Sequence, residues 1–167
     1  MLLGEEWLLD TDLPDESLGA NWRSSTLFRA IEEARELGLE VEITGDVSAV
    51  TRLDGTHAQA VGLAAKQCLV NVLRHSGVST AEVVIYGSDA EVSVMIVDAG
   101  KGFSVAETGA DRLGLRQSVR NRIEAVDGAV QVWSTPGRGT SVMIRVPATR
   151  ADGASSAVSG GDEEGVA

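Results

Sequence analysis

The most constraining feature of the sequence is an apolar strand that ends in a carboxylate and two glycines. Residues 92–97 are Val-Ser-Val-Met-Ile-Val, a β-branched run that predicts a buried strand. Asp98 follows it, and Gly100 and Gly102 stand one residue apart. Glycines can adopt positive φ and let a ligand approach the backbone, and a buried carboxylate can accept from an amino group such as that of adenine. Alone, this stretch is more typical of an ordinary turn, but the segments around it favour a binding site.

Length and charge restrict the classes of protein that remain. The chain has 167 residues, enough for one domain with a real core, and its 43% apolar but only 4% aromatic content predicts an aliphatic core. The net charge of −11 argues against binding nucleic acid or an anionic membrane surface. No stretch has the apolar length of a membrane span, and the N-terminus lacks the basic region of a signal peptide. Cys68 is the only cysteine, which excludes an internal disulfide and fits a cytoplasmic protein.

A long, mostly apolar helix is predicted from about Thr56 to His75, with a polar line along one side. Gln67, Asn71 and His75 stand at i, i+4 and i+8, with Arg74 beside them. For any single residue a solvated helix edge is the favoured interpretation. For three aligned polar groups on a buried helix, a polar ligand or a metal is an equally good one.

The remaining pattern predicts alternating helices and hairpins. After Phe103, residues 104–113 form a polar loop of the length of a lid, and Gly114 opens a helix that runs to about Val126. A helix start after glycine is a ready anion site, and Arg112, Arg116 and Arg120 place positive charge near it. The other predicted elements are an amphipathic helix at 26–38, a half-buried strand at 39–44, and hairpins at 83–97 and 129–146.

Three segments, taken in order, resemble a known family. They are Gln67–His75 (QCLVNVLRH), Asp98–Phe103 (DAGKGF), and Gly114–Arg116 followed by Pro136–Thr140 (PGRGT). Together they resemble the N, G1 and G2 boxes of the catalytic ATP-binding domain of bacterial sensor histidine kinases. The resemblance is closest to the branch that works with NarL-type response regulators, and it covers roughly residues 26–147.

The resemblance implies a fold and a set of roles. The fold is the Bergerat α/β two-layer sandwich, a mixed and mostly antiparallel sheet with helices on one face. Asn71 is then the magnesium-binding residue, Asp98 contacts the adenine amine, and Thr140 supports the adenine end. Arg74 and His75 face the phosphates and, with Gln67, form the implied catalytic set. The rest of the implied nucleotide-binding set is Gly100, Lys101, Gly102, Arg112, Gly114 and Leu115.

Two departures bear on the implied activity, which is phosphoryl transfer from Mg-ATP to a histidine on a separate domain. Gln67 stands where the family usually has Glu, and an amide cannot accept a proton. Val70 stands where many relatives have a second Asn. A nucleotide-binding signalling module with weak or lost kinase activity is therefore one alternative. Another is an anti-sigma-type serine kinase, although the hairpin at 133–140 favours a sensor kinase.

The resemblance also implies partners and a domain plan. Neither histidine is followed by an acidic residue, since Ala58 follows His57 and Ser76 follows His75, so the phosphoacceptor lies elsewhere. The implied partners are ATP or ADP, the kinase's own dimerisation and phosphoacceptor domain, and a NarL-type response regulator, without nucleic acid or membrane contact by this fragment. Parent kinases of this family usually carry membrane segments upstream. The predicted plan is an N-terminal extension at 1–22, the catalytic domain at 23–148 and a disordered acidic tail at 149–167.

Overall fold

The computed structural model describes residues 22–104 and 110–149, with the backbone alone for residues 110–115. It contains a five-stranded sheet with the order β1-β2-β3-β5-β4, in which β1 pairs in parallel with β2 and every other pair is antiparallel. The predicted α/β fold with a mixed, mostly antiparallel sheet is therefore confirmed. The strands are β1 Glu40–Gly45, β2 Thr80–Gly87, β3 Glu91–Asp98, β4 Ala129–Thr135 and β5 Gly139–Pro147. The helices are α1 Thr26–Glu36, α2 Gly55–Asn71 and α3 Ala110–Glu124.

An aliphatic core fills the space between the sheet and the helices. Alternate strand residues point inward, so that Val94 of β3 lies between Ile85 of β2 and Ile144 of β5, and all three are buried. Leu27 and Ile31 of α1 are buried on the helical side of this core. The prediction of an aliphatic core is confirmed. None of the helices in the described part of the chain is long and apolar enough to cross a membrane.

One residue on each side of the predicted catalytic domain, 23–148, contacts the body of that domain. Trp22, placed in the N-terminal extension by the prediction, is 8% exposed and packs edge-on against Phe28, with ring centroids 5.3 Å apart. Thr149, placed in the tail, donates its backbone N–H to the carbonyl of Arg52 at 2.9 Å and accepts from the backbone N–H of Asp54 at 2.7 Å. Both residues therefore belong to the folded domain. Residues 1–21 and 150–167 lie outside the described residues.

The long predicted helix is present, but its last turn is not α-helical. Asp54 caps the start of α2, where its side chain accepts from the backbone N–H of His57, and the π-helical turn Val72–Ser76 follows the last residue of α2. The Ser76 hydroxyl donates to the carbonyl of Val72 at 2.6 Å, and Gly77 ends the turn at φ 82°. A single π turn at a helix end is frequent at functional sites.

The predicted start of the last helix is wrong. α3 begins at Ala110 and not at Gly114, so Arg112, Gly114 and Leu115 are helical residues, and residues 105–109 of the predicted lid lie outside the described part. Helix formers such as Ala110 and Leu113 continue the helix through the glycine, which costs only about 1 kcal/mol within a helix. Only the first four N–H groups of a helix lack an internal acceptor, so Gly114 lies beyond its free end. A 3₁₀ helix at Val47–Arg52 was not predicted.

Candidate functional site

A pocket opens beside the last residue of β3. Asp98 lies there, 8% exposed, in register with Thr140 of β5. Asn71 and Cys68 reach the same pocket from α2 and Arg116 from α3; the space between these residues is about 530 Å³ including its open mouth, of which about 30 Å³ admits the centre of a water molecule. We call it the Asp98 pocket; its other lining residues are Val72, Ile96, Phe103, Val119, Val130, Val132 and Val142. The walls are mostly apolar, which suits a flat heteroaromatic ring with a polar edge.

Asp98 is the polar anchor of this pocket. Burial raises the pKa of its carboxyl group, while hydrogen bonds from the backbone N–H groups of Gly100 and Thr140 act in the opposite direction. The Gly100 N–H lies 2.8 Å from Oδ1. A carboxylate has about four lone-pair positions, so the group retains capacity to accept from a ligand amine.

The glycines after Asp98 are required by contacts within the protein. Gly102 has φ 62°, and a Cβ there would lie 2.2 Å from the carbonyl oxygen of Thr135. Gly100 is not in the positive-φ region, and a Cβ there would lie 2.4 Å from the carbonyl oxygen of Ser76. The prediction that these glycines can adopt positive φ therefore holds for Gly102 alone. Their close approach is to the chain's own backbone.

Hydrogen bonds hold the segment after Asp98 on both sides. The backbone N–H of Lys101 donates to Ser76 at 2.8 Å, and its carbonyl accepts from Gly137 at 2.6 Å. The backbone N–H of Phe103 donates to the hydroxyl of Ser134 at 2.9 Å, and that hydroxyl lies 2.8 Å from the hydroxyl of Thr140. The π turn and the β4–β5 turn thus fix this side of the pocket. The side chain of Lys101 is exposed.

A second cavity adjoins the first, with Asn71 lining both. It has a volume of about 1110 Å³ including its open mouth, and we call it the Gln67 cavity. Its lining residues are Leu63, Lys66, Gln67, Val70, Asn71, Arg74, His75 and Arg122. A small pocket containing Asn71, His75, Asp98 and Thr140 joins the two. The predicted polar line is therefore brought together, even though the π turn interrupts the helical spacing before His75.

Two buried polar atoms in the Gln67 cavity have no hydrogen-bond partner among the described residues. Gln67 donates Nε2–H to the hydroxyl of Ser118 on α3 at 3.2 Å, but its Oε1 is unpaired. The Nε–H of Arg122 is unpaired as well. Arg122 was missed by the sequence analysis because only the packing of α3 on α2 shows that it reaches this cavity.

The predicted arginine cluster is divided by the structure. Arg116 lines the Asp98 pocket, whereas Arg120 donates its Nη1–H to the carbonyl of Val130 at 3.0 Å and so fastens α3 to β4. The predicted place of Arg120 near an anion site stays a prediction. The side chains of Arg112 and Leu115 lie outside the described part of the structure. Cys68 was also missed as a pocket residue, and burial raises the pKa of its thiol to about 12.

The donor set of the site determines which metal it can hold. No group of three or more His, Cys, Asp or Glu residues among those described is arranged to bind a metal. The amide side chains of Asn71 and Gln67 are neutral oxygen donors in the Gln67 cavity. Magnesium is usually held by one or two protein oxygens together with phosphate oxygens and water, so this set fits magnesium delivered with a phosphate ligand.

Comparison with known proteins places this geometry in context. No family model matches the chain. Over 82 residues it is 32% identical to the sensor histidine kinase LiaS of Bacillus subtilis (strain 168), covering 49% of this chain and 22% of LiaS. The histidine kinase domain from the Erythrobacter litoralis EL346 blue-light activated histidine kinase superposes with a TM-score of 0.52 and 21% identity, covering 74% of this chain and 61% of that one. The chain has the fold of a histidine kinase domain.

A longer structure of the same Erythrobacter litoralis EL346 kinase gives a consistent result. It superposes with a TM-score of 0.56 and 23% identity over 74% of this chain, and the match covers 41% of that structure. The chain thus spans about a fifth of the sensor kinase that it matches in sequence, and between two fifths and three fifths of the histidine kinase structures. It corresponds to one part of such kinases.

Proposed function

We propose that this chain is the ATP-binding catalytic domain of a sensor histidine kinase, of the branch that works with NarL-type response regulators. The observation that carries the proposal is the buried carboxylate of Asp98 at the end of an apolar pocket, next to a cavity that combines amide oxygens with cationic side chains. The histidine kinase fold and the similarity to LiaS support it. Its partners are then a separate phosphoacceptor domain and a response regulator.

The Asp98 pocket would bind the adenine ring. The ring would lie between Val72 of the helical side and Val142 of the sheet, and its exocyclic amine would donate to Asp98. Thr140, whose hydroxyl is held by Ser134, would contribute a second polar group at the same edge. An apolar slot with one buried acceptor favours a base that carries an amine over one that carries a carbonyl.

The Gln67 cavity would receive the phosphates. Arg74 and Arg122 would balance their negative charge, and His75 would hydrogen-bond to them. Asn71 and Gln67 would supply the protein oxygens for magnesium, which when bound neutralises charge on the phosphate oxygens. This arrangement works by positioning and electrostatics.

One observation favours a second candidate, a nucleotide-binding module with weak phosphoryl transfer. The residue between the phosphates and the incoming group would be Gln67, whose amide donates to Ser118 and cannot take a proton. Both candidates require the same nucleotide site, and they differ only in whether transfer follows binding.

Titration calorimetry of the full chain with magnesium and ADP tests the shared requirement. We expect millimolar or tighter binding, and we expect Asp98→Asn to weaken it by about 1–3 kcal/mol because the amine then faces an amide N–H₂. Asp89→Asn, an exposed change of the same type in the β2–β3 turn, is the matched control. Absence of binding heat at millimolar nucleotide would refute the proposal.

A further inference from the structure

The Gln67 cavity carries positive charge that the described residues do not balance. Among the described residues, four basic ones line it and no acidic one does. Lys66 is paired with Glu33 at 2.9 Å, but neither Arg74 nor Arg122 has an ion-pair partner in residues 22–104 and 110–149. A site with these donors fits a ligand that presents several anionic oxygens close together.

The chain itself carries such a group of oxygens. Asp162, Glu163 and Glu164 are consecutive, within a segment that is otherwise almost wholly small and apolar or uncharged from Gly153 onward. These three carboxylates are opposite in charge to Arg74 on the π turn and Arg122 on α3. The chain has 25 Asp and Glu residues against 14 Lys and Arg residues, so the cationic lining of the Gln67 cavity stands out in a chain that is negative overall.

The anchoring of Thr149 sets the distance that the segment must cover. Thr149 is hydrogen-bonded to Arg52 and Asp54, immediately before the start of α2. From there the Gln67 cavity lies about 20–30 Å away along the axis of α2, at 1.5 Å per residue. The roughly 13 residues from Thr149 to Asp162 can span up to about 45 Å. The segment is therefore long enough to reach the cavity within the same molecule, where tethering raises its effective concentration.

We propose that the segment Asp162–Glu164 docks in the Gln67 cavity, with its carboxylates paired to Arg74 and Arg122, and that it competes there with other anionic ligands. The proposed docking rests only on the opposite charges of the segment and the cavity and on the length of the residues that connect them. The competition with nucleotide phosphates rests additionally on the proposed function. Docking would lower the apparent affinity of the cavity for other anions, because an anion must displace the chain's own acidic segment before it can bind.

Paramagnetic relaxation in solution tests the docking without any nucleotide. A nitroxide is attached at Gly165→Cys in a Cys68→Ala background, and relaxation of backbone amides is measured at low salt. We expect enhanced relaxation at residues 66–75 and at Arg122, relative to β1 residues such as Ile43. The enhancement should disappear in the triple variant Asp162→Asn, Glu163→Gln, Glu164→Gln, and in Arg74→Gln combined with Arg122→Gln.

Three results would overturn the docking: no enhancement at the cavity, an enhancement that survives neutralisation of the three carboxylates, or an enhancement that appears only between labelled and unlabelled molecules. Calorimetry with magnesium and ADP tests the competition separately. We expect the triple variant to bind ADP several-fold more tightly than the unmodified chain, and equal affinities would refute competition. If neither protein binds ADP, the proposed function fails, while the relaxation result still decides the docking.

Discussion

Around Asp98 the polar groups of the chain are bonded to one another, whereas the neighbouring Gln67 cavity leaves polar atoms unpaired. Gly100 bonds the Asp98 carboxylate, Ser134 links Phe103 to Thr140, and the π turn holds Lys101. Across Asn71, the oxygen of Gln67 and the Nε–H of Arg122 have no partner among the described residues. The first region satisfies its polar groups within the chain, and the second leaves two buried polar atoms without a hydrogen bond from the described residues. The two adjoining regions therefore differ in how completely their polar groups are hydrogen-bonded.

The largest expected effect is on the stability of the fold, at the hydrogen-bonded segment that follows Asp98. Gly102→Ala should lower the free energy of unfolding by about 3 kcal/mol or more, because the new Cβ would meet a backbone oxygen at a positive φ. Gly137→Ala is the matched control: its φ is 81° but no atom lies within 4 Å of the added Cβ. It should cost only about 1–2 kcal/mol, the strain of the left-handed region. Chemical denaturation measures both. Equal losses would show that steric contact with Thr135 does not matter.

The next largest effect concerns the Gln67 cavity and the rate of phosphoryl transfer. If the missing carboxylate limits transfer, Gln67→Glu should raise phosphoryl transfer about a hundredfold or more, with little change in nucleotide affinity. The assay supplies a phosphoacceptor domain in cis or in trans, and Gln131→Glu on the exposed side of β4 controls for the added charge. Normal transfer by the unmodified chain would make Gln67 a tolerated variant. No transfer by either protein would favour the binding module.

The smallest effect is a pH dependence of stability that comes from Asp98. Burial raises the pKa of this carboxyl group in the folded state, so its favourable contribution is present at low pH and is lost as pH rises through the raised pKa. Asp98→Asn removes this loss. At neutral pH the variant should therefore unfold within about 1 kcal/mol of the unmodified chain, and its relative stability should increase as pH rises across that window. Asp89→Asn should show no such trend. Strong destabilisation by Asp98→Asn at pH 7 would mean that the carboxylate is structural.

The sequence predicted the elements whose pattern is local. The strands were found because runs rich in β-branched apolar residues, such as 92–97, are typical of buried strands. The polar line from Gln67 to His75 was found because helical spacing places these residues together. The aliphatic core followed from composition.

The features that were missed depend on tertiary packing. Ser76 forms a π turn by bonding to Val72 and Val78, and no periodicity in the sequence marks it. Arg122 belongs to the site only because α3 packs beside α2, and Trp22 joins the core only through its contact with Phe28. The helix start was misplaced because glycine at position 114 was taken as a boundary, whereas helix formers on both sides carry the helix through it.

The central claim is that Asp98 accepts from the amine of an adenine ring, and comparing two nucleotides that differ only at that position tests it most directly. Calorimetry of the unmodified chain with magnesium and either ADP or purine riboside 5′-diphosphate isolates the contact, because purine riboside carries a hydrogen atom where adenine carries the amine and is otherwise identical. We expect ADP to bind more tightly by about 1–3 kcal/mol, since without the amine the buried Asp98 carboxylate loses a hydrogen-bond donor. In Asp98→Asn this preference should shrink or reverse. Equal affinity of the unmodified chain for the two nucleotides would contradict the account.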